Sequence, residues 1–269
     1  MEFAKKLVER TGKPYLSYSA LKYAADGGKQ QDMKLFELYV RGLLKKSSPA
    51  LTFGSLYDMM LLEPKRVNDS FFVLDDSAIL QELSGEYKNP KASKKYKDWA
   101  SSQVSDGRTQ VTGDDWQMAE DMINRLNASE VLNPDTGEVL PVRSFLKGEA
   151  QVEFNTWIDE IPVRGFFDVK GDGFVTDSKS TRSVYGFPFD VKSFDYDIQA
   201  YIYTQVAETD TFYWVAQGKT KPYLTAVYKA SPKILASGER KFWSAVNNIT
   251  RWLDDPTKAT DSFAIYREI

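Results

Sequence analysis

The 269-residue chain contains no cysteine and no histidine. The first absence excludes disulfides, thiol catalysis, thiolate zinc sites and cysteine-held iron–sulfur clusters. The second removes every histidine-based triad, the usual zinc ligand and the commonest general base. Carboxylates, Lys, Tyr, Ser and a hard metal are what remains for catalysis. No apolar run approaches the length of a membrane span, and the start, Met1-Glu2-Phe3-Ala4-Lys5-Lys6, lacks the apolar stretch of a secretory leader. The expectation is a cytoplasmic protein without membrane contact. A strong excess of one charge is also missing. A net charge of −3 does not advertise nucleic-acid binding, although a basic channel can sit inside an acidic protein.

What is present is ordinary for a packed protein: 42% hydrophobic and 27% charged residues, with aromatics at 14%. One stretch organises the rest, Gly165-Phe166-Phe167-Asp168-Val169-Lys170-Gly171-Asp172-Gly173-Phe174-Val175-Thr176-Asp177-Ser178-Lys179. Two apolar, aromatic-rich runs flank a Gly-Asp-Gly turn, which predicts a β-hairpin with arms over 162–170 and 174–178. Alternation along a strand points Asp177 and Lys179 the same way, and folding the hairpin brings Asp168 beside them. Two carboxylates and an ammonium on one sheet face resist joint ionisation without a cation. A hard divalent metal with oxygen ligands resolves that conflict.

Upstream, Ser17 or Ser19 caps a short helix within 14–27, a second helix covers 31–44, and a third covers 50–63. The third is apolar nearly all round, so Asp58 within it either meets a partner or metal, or sits on the helix's one wet stripe. Lys88, Lys91, Lys94, Lys95 and Lys97 interleave with Tyr87, Tyr96 and Trp99, which reads as a solvated face or as a surface for phosphates and bases. Thr112 caps a packing helix carrying Trp116, Ala119, Ile123 and Leu126, and 133–137 is a turn. Strands begin near 140, with an alternating run over 151–157 and a turn over 158–161. Residues 186–193 read as a loop and 195–208 as a helix with Gln199 and Tyr203 stacked on one face. Strands over 211–216 and 223–229 and a helix over 232–253 complete the chain. This order implies an α/β fold, a central mixed sheet flanked by helices with helical additions at the N-terminus. It reads as one domain over 1–269, helical over about 1–130 and α/β over about 140–255.

The constellation resembles the core of the PD-(D/E)XK nuclease superfamily, whose fold is restriction-endonuclease-like. Asp168 matches its first acid, Asp177 the second, Ser178 the variable position and Lys179 the lysine. Gln199-Ala200-Tyr201-Ile202-Tyr203 is similar to the Q-x-x-x-Y motif of its RecB-like branch. Leu16-Ser17-Tyr18-Ser19-Ala20-Leu21, the run from Gly54 to Asp58 with Leu62-Glu63-Pro64, and Ala216-Gln217-Gly218-Lys219 with Pro222-Tyr223 resemble segments of RecE-type and phage-type exodeoxyribonucleases. Two positions depart. Asp58 stands for the family's histidine, and Gln217 for a glutamate, a structural role being expected of the latter. Glu149, Gln151 and Glu153 all lie where relatives place a further acid.

The resemblance implies metal-assisted phosphodiester hydrolysis. Asp168, Asp177, the Ser178 carbonyl and Asp58 would hold Mg²⁺, with Mn²⁺ as a substitute. Lys179 would position water and stabilise negative charge, while Gln199 and Tyr203 orient the strand or the site. It further implies 5′ to 3′ digestion from double-stranded DNA ends, a homo-oligomer, a single-strand annealing recombinase as partner, and the host cytoplasm if the gene belongs to a phage. The competing readings are an endonuclease or resolvase on the same core, and a non-catalytic DNA-binding protein with a decayed site.

Overall fold

Caps written into the sequence begin several of the helices. The computed structural model describes residues 2–44, 48–103, 107–133 and 136–255. Helix α1 (Glu2–Thr11) precedes a two-residue strand, β1 (Leu16–Ser17), which leads directly into α2 (Tyr18–Ala24). Ser17, not Ser19, is the cap: its Oγ accepts from the Ala20 amide at 3.3 Å. Helix α3 (Met33–Val40) is shorter than the 31–44 span its apolar spacing predicts, because Asp32 caps it from outside and Gly42, at φ +72°, follows its end. Helix α4 (Pro49–Leu62) starts on Ser48, with proline in its first turn where no donor is lost.

The region after α4 holds short elements that the sequence reading left unassigned. These are α5 (Val67–Ser70), β2 (Phe71–Val73), α6 (Ser77–Ser84), α7 (Lys94–Ser102) and β3 (Thr109–Val111), with β2 and β3 paired in parallel. The lysine-rich face is partly neutralised: Lys91 pairs with Asp76 at 3.1 Å and Lys95 with Glu82 at 2.9 Å. Tyr96 is buried and donates to Asp76 at 2.6 Å, which withdraws it from any base-stacking surface. Helix α8 (Gly113–Asn127) is capped by Thr112 as predicted, and β4 (Glu130–Leu132) pairs with β5 (Val139–Pro141). Of the predicted 133–137 turn, Pro134 and Asp135 lie outside the described residues.

The central sheet takes its strands from the predicted run: β6 (Glu149–Ile158), β7 (Ile161–Lys170) and β8 (Val175–Thr181). The segment predicted as a loop over 186–193 is instead helix α9 (Phe187–Ser193); Pro188 falls in its first turn, where it does not break the helix. Helix α10 (Tyr196–Ala207), β9 (Phe212–Gly218), β10 (Thr225–Lys229) and the long α11 (Pro232–Asp254) follow. Strand order is β1-β7-β8-β9-β10, with β6 along the other edge of β7. The pairings β1·β7 and β8·β9 are parallel and the rest antiparallel, so the sheet is mixed as expected.

Two apolar clusters pack against this sheet. One joins α1, α2, α3, α10 and α11 to Val163, Phe167, Phe212 and Trp214. The other joins α4 and α8 to Val169, Val215 and Tyr223. The α10·α11 crossing is close enough that a Cβ on Gly238 would lie 2.0 Å from the Asp197 carbonyl oxygen. Only glycine fits there, which accounts for a helix-weakening residue in the middle of a helix.

Candidate active site

Strand β7 shares one edge between two partners. β1 pairs with it at Val163 and Arg164, and β8 at Val169 and Lys170. The β7·β8 ladder therefore stops after two residue pairs, and the strands part on the side of Asp168 and Asp177. In a continued ladder the Ser178 amide would face Phe167. Here it donates instead to Asp168 Oδ2 at 2.8 Å. A carboxylate thus satisfies the amide at the fork, and its other oxygen accepts from Gln151 Nε2 at 3.3 Å. Gln151 is set opposite Asp168 with φ +52°. Of the three residues left open by the sequence, Gln151 is the one that touches the site; Glu149 and Glu153 are exposed.

Side-chain alternation on β8 sends successive residues to different helices. Asp177 Oδ1 accepts from Gln199 Nε2 on α10 at 2.7 Å, while Lys179 lies over the Tyr196 ring of the same helix at 5.2 Å and forms an ion pair with Asp177 Oδ2. Thr176 points the other way, its hydroxyl donating to the Phe145 carbonyl at 2.6 Å, and the Ser178 side chain lies toward Tyr57 and Asp58 of α4. Asp58 reaches the site because α4 runs close to β8: a Cβ on Gly54, one turn before Asp58, would come within 4.0 Å of Ser180 Oγ. The fork is where these two faces meet.

The electrostatics follow from that crowding. The Asp58 carboxyl is driven well above the carboxylate range by burial and then by Asp168, against the pull of Lys179. Asp168 is pushed up to about 7 by burial and by Asp177, with Lys179, the Ser178 amide and Gln151 opposing. Burial works against the charge on Lys179, but Asp177 and Asp168 outweigh it and hold the ammonium protonated. Four polar atoms here are buried without a hydrogen-bond partner: Asp58 Oδ1, Asp177 Oδ2, Ser178 Oγ and Gln199 Oε1. Of these, Asp177 Oδ2 has only its ion pair with Lys179.

Asp58, Asp168, Asp177, Ser178, Lys179 and Gln199 gather around the fork, and Tyr203 does not reach it directly. Tyr203 lies one turn beyond Gln199 and packs its ring between Phe154 at 5.4 Å and Phe167 at 5.2 Å, forming the wall behind the carboxamide. Gln217 is structural as expected. Its Oε1 accepts from Tyr57 at 2.7 Å and its Nε2 donates to the Met122 carbonyl at 2.6 Å, tying β9 to α4 and α8. Tyr196 was not foreseen, although Tyr196, Gln199 and Tyr203 fall at one-face spacing on α10 and carry that signal.

The sequence of residues 17–261 matches the family described as "PDDEXK-like domain of unknown function (DUF3799)". The chain belongs to that family. That description places the chain in the PD-(D/E)XK nuclease superfamily. No curated protein matches the sequence. Among solved structures, a crystal structure from Eubacterium rectale described as a "putative exonuclease" is similar in fold, with a TM-score of 0.62 at 13% identity over 99% of this chain and 94% of that one.

The family's usual requirement for a divalent metal can be tested on the donors present. Among the described residues no three acidic side chains are arranged as a ready-made cage. Mg²⁺ does not need one, since it usually takes one or two carboxylates and fills its shell with water and phosphate oxygens. Asp58 Oδ1 has no hydrogen-bond partner and lies beside the Asp168 carboxyl, whose ionisation burial and Asp177 disfavour; these are hard oxygen donors of the right type. The residues fit the group.

Proposed function

We propose that this chain is a metal-dependent exodeoxyribonuclease that hydrolyses phosphodiester bonds from the ends of linear double-stranded DNA. The observation that carries the reading is the convergence of Asp168, Asp177 and Lys179 in one strand fork, beside an Asp58 oxygen left without a hydrogen-bond partner. Asp168, Asp177, the Ser178 carbonyl and Asp58 would hold Mg²⁺, or Mn²⁺ in its place. The ion, when bound, supplies charge that polarises the phosphate and acidifies a water. Gln199 holds Asp177 by one oxygen, which leaves the other to Lys179. Lys179 is kept protonated by its acidic neighbours, so it acts as a donor to water or to the developing negative charge and not as a proton acceptor. With no histidine in the chain, proton transfer falls to carboxylates or water. The resemblance to RecE-type and phage-type enzymes supports 5′ to 3′ digestion in phage-type recombination, a homo-oligomer and a single-strand annealing recombinase as partner.

End-labelled linear duplex and covalently closed circular DNA, each with Mg²⁺ or with EDTA, test the reading together. The expected result is nucleotide release from the linear duplex alone, from its 5′ label first, and none with EDTA. Equal cleavage of the closed circle overturns the exonuclease reading in favour of an endonuclease. No cleavage with either Mg²⁺ or Mn²⁺ leaves a non-catalytic DNA-binding protein.

A further inference from the structure

The segment that leaves the site strand carries three large aromatic side chains in solvent. Tyr185 is 80% exposed, Phe189 73% and Phe194 42%. They belong to α9 and the turns on either side of it, which begin directly after β8. The scaffold beneath them is fixed. Phe187 is buried between them and contacts the rings of Tyr228 at 5.4 Å, Tyr196 at 6.2 Å and Trp214 at 6.2 Å. Tyr228 donates to the Val184 carbonyl at 2.6 Å, Thr181 to Asp190 at 2.9 Å, and Tyr18 to the Phe194 carbonyl. Such exposed rings on a pinned backbone gain little by burial in the chain's own core.

The rings also form a path back to the reacting groups. Phe194 lies 5.5 Å from Tyr196, and Lys179 sits 5.2 Å over that same Tyr196 ring. From the other end, burial and then the neighbouring Tyr185 raise the Tyr228 hydroxyl pKa, and Tyr228 stacks on Phe187, which stacks on Tyr196. Two cations flank this ridge: Arg182 and Lys192 are exposed and have no ion pair among the described residues. Flat rings beside free cations suit a ligand with both π-faces and phosphates. A paired duplex hides its base faces within its own stack, so only an unpaired strand presents them.

We infer that Tyr185, Phe189 and Phe194 form a stacking ridge for the unpaired bases of a DNA strand whose backbone enters the Asp168–Asp177–Lys179 fork. This deepens the nuclease reading and rests on it. The ridge receives bases that have left the duplex next to the cleavage position, and Arg182 and Lys192 steady their phosphates.

Binding of a fluorescent single-stranded oligonucleotide in EDTA, where nothing is cut, tests this in wild type and in Tyr185→Ala, Phe189→Ala and Phe194→Ala. The expected loss is roughly tenfold in affinity for each ring removed, with a smaller loss for blunt duplex. Tyr185→Trp and Phe189→Trp restore binding, since any large ring stacks. Unchanged single-strand affinity in all three alanine variants, with wild type binding and cutting DNA normally, overturns the ridge and leaves the nuclease intact. A shift in oligomeric state with DNA affinity unchanged makes the ridge a protein-contact surface and likewise overturns it. Wild type that neither binds nor cuts DNA brings down the nuclease reading itself.

Discussion

Two clusters of buried carboxylates around one lysine lie at the N-terminal end of α10, and they are built to opposite ends. In the first, Lys241 of α11 donates to Asp195 at 2.7 Å and to Asp197 at 3.0 Å. Asp195 also accepts from the amides of Lys29 and Gln30, and Asp197 from the Ser237 hydroxyl at 2.8 Å. None of these oxygens lacks a partner. In the second, Lys179 pairs with Asp177 while Asp58 Oδ1, Ser178 Oγ and Gln199 Oε1 go unanswered. Same ingredients, different completion: the satisfied cluster fastens α10 to α11 and to the loop after α2, and the unsatisfied one is left for a ligand to complete.

The largest effect that would sharpen this contrast is catalytic. Asp177→Ala and Lys179→Ala should each lower Mg²⁺-dependent nucleotide release by about 10³-fold or more. Wild-type digestion rates in both variants would remove the site assignment. Asp58→Ala should cost about 10- to 100-fold, while Asp58→His, which installs the histidine of the RecE-type and phage-type enzymes that this segment resembles, should retain activity. A companion effect belongs to the other cluster. Lys241→Ala leaves Asp195 and Asp197 buried without a counter-charge and should cost about 3–5 kcal/mol in denaturant unfolding. If Lys241→Ala is as stable as wild type, the two clusters do not differ as described.

The smallest effect is a pH slope. In divalent-free buffer the Asp168 carboxyl titrates near 7 in the folded chain against 3.8 for the free side chain. A raised folded value means the folded state prefers the proton. Its stabilising contribution is whole below about pH 4 and is lost as pH rises through 7. The melting temperature of metal-free protein should therefore fall between about pH 4 and pH 7, and Asp168→Asn should flatten that fall. Adding Mg²⁺ should flatten it as well. A slope that persists unchanged in Asp168→Asn assigns it to another group.

The contrast also explains what could be read from the sequence. Asp177 and Lys179 are two residues apart on a strand, and Asp168 is joined to them by a short turn, so local alternation was enough to group them. Gln199 followed from helical spacing. Lys241 is 46 residues from Asp195 and 44 from Asp197, and no periodicity links them; only the packing of α11 on α10 does. Helix α9 was hidden by Gly186 and Pro188, which signal a loop until their places before and within a first turn are seen. Strand β1 is two residues long, too short for alternation to show, yet its pairing with β7 is what ends the hairpin ladder and opens the fork. Which of Glu149, Gln151 and Glu153 meets the site was likewise beyond a pattern, because it depends on Gln151 sitting opposite Asp168.

Gly238 gives the arrangement a mechanical character. With α11 against the Asp197 carbonyl and room there for a hydrogen but not a methyl, α10 has a hard stop at its back. At that crossing α10 cannot press closer to α11, so the helix that carries Gln199 to Asp177 is braced from behind by the long C-terminal helix.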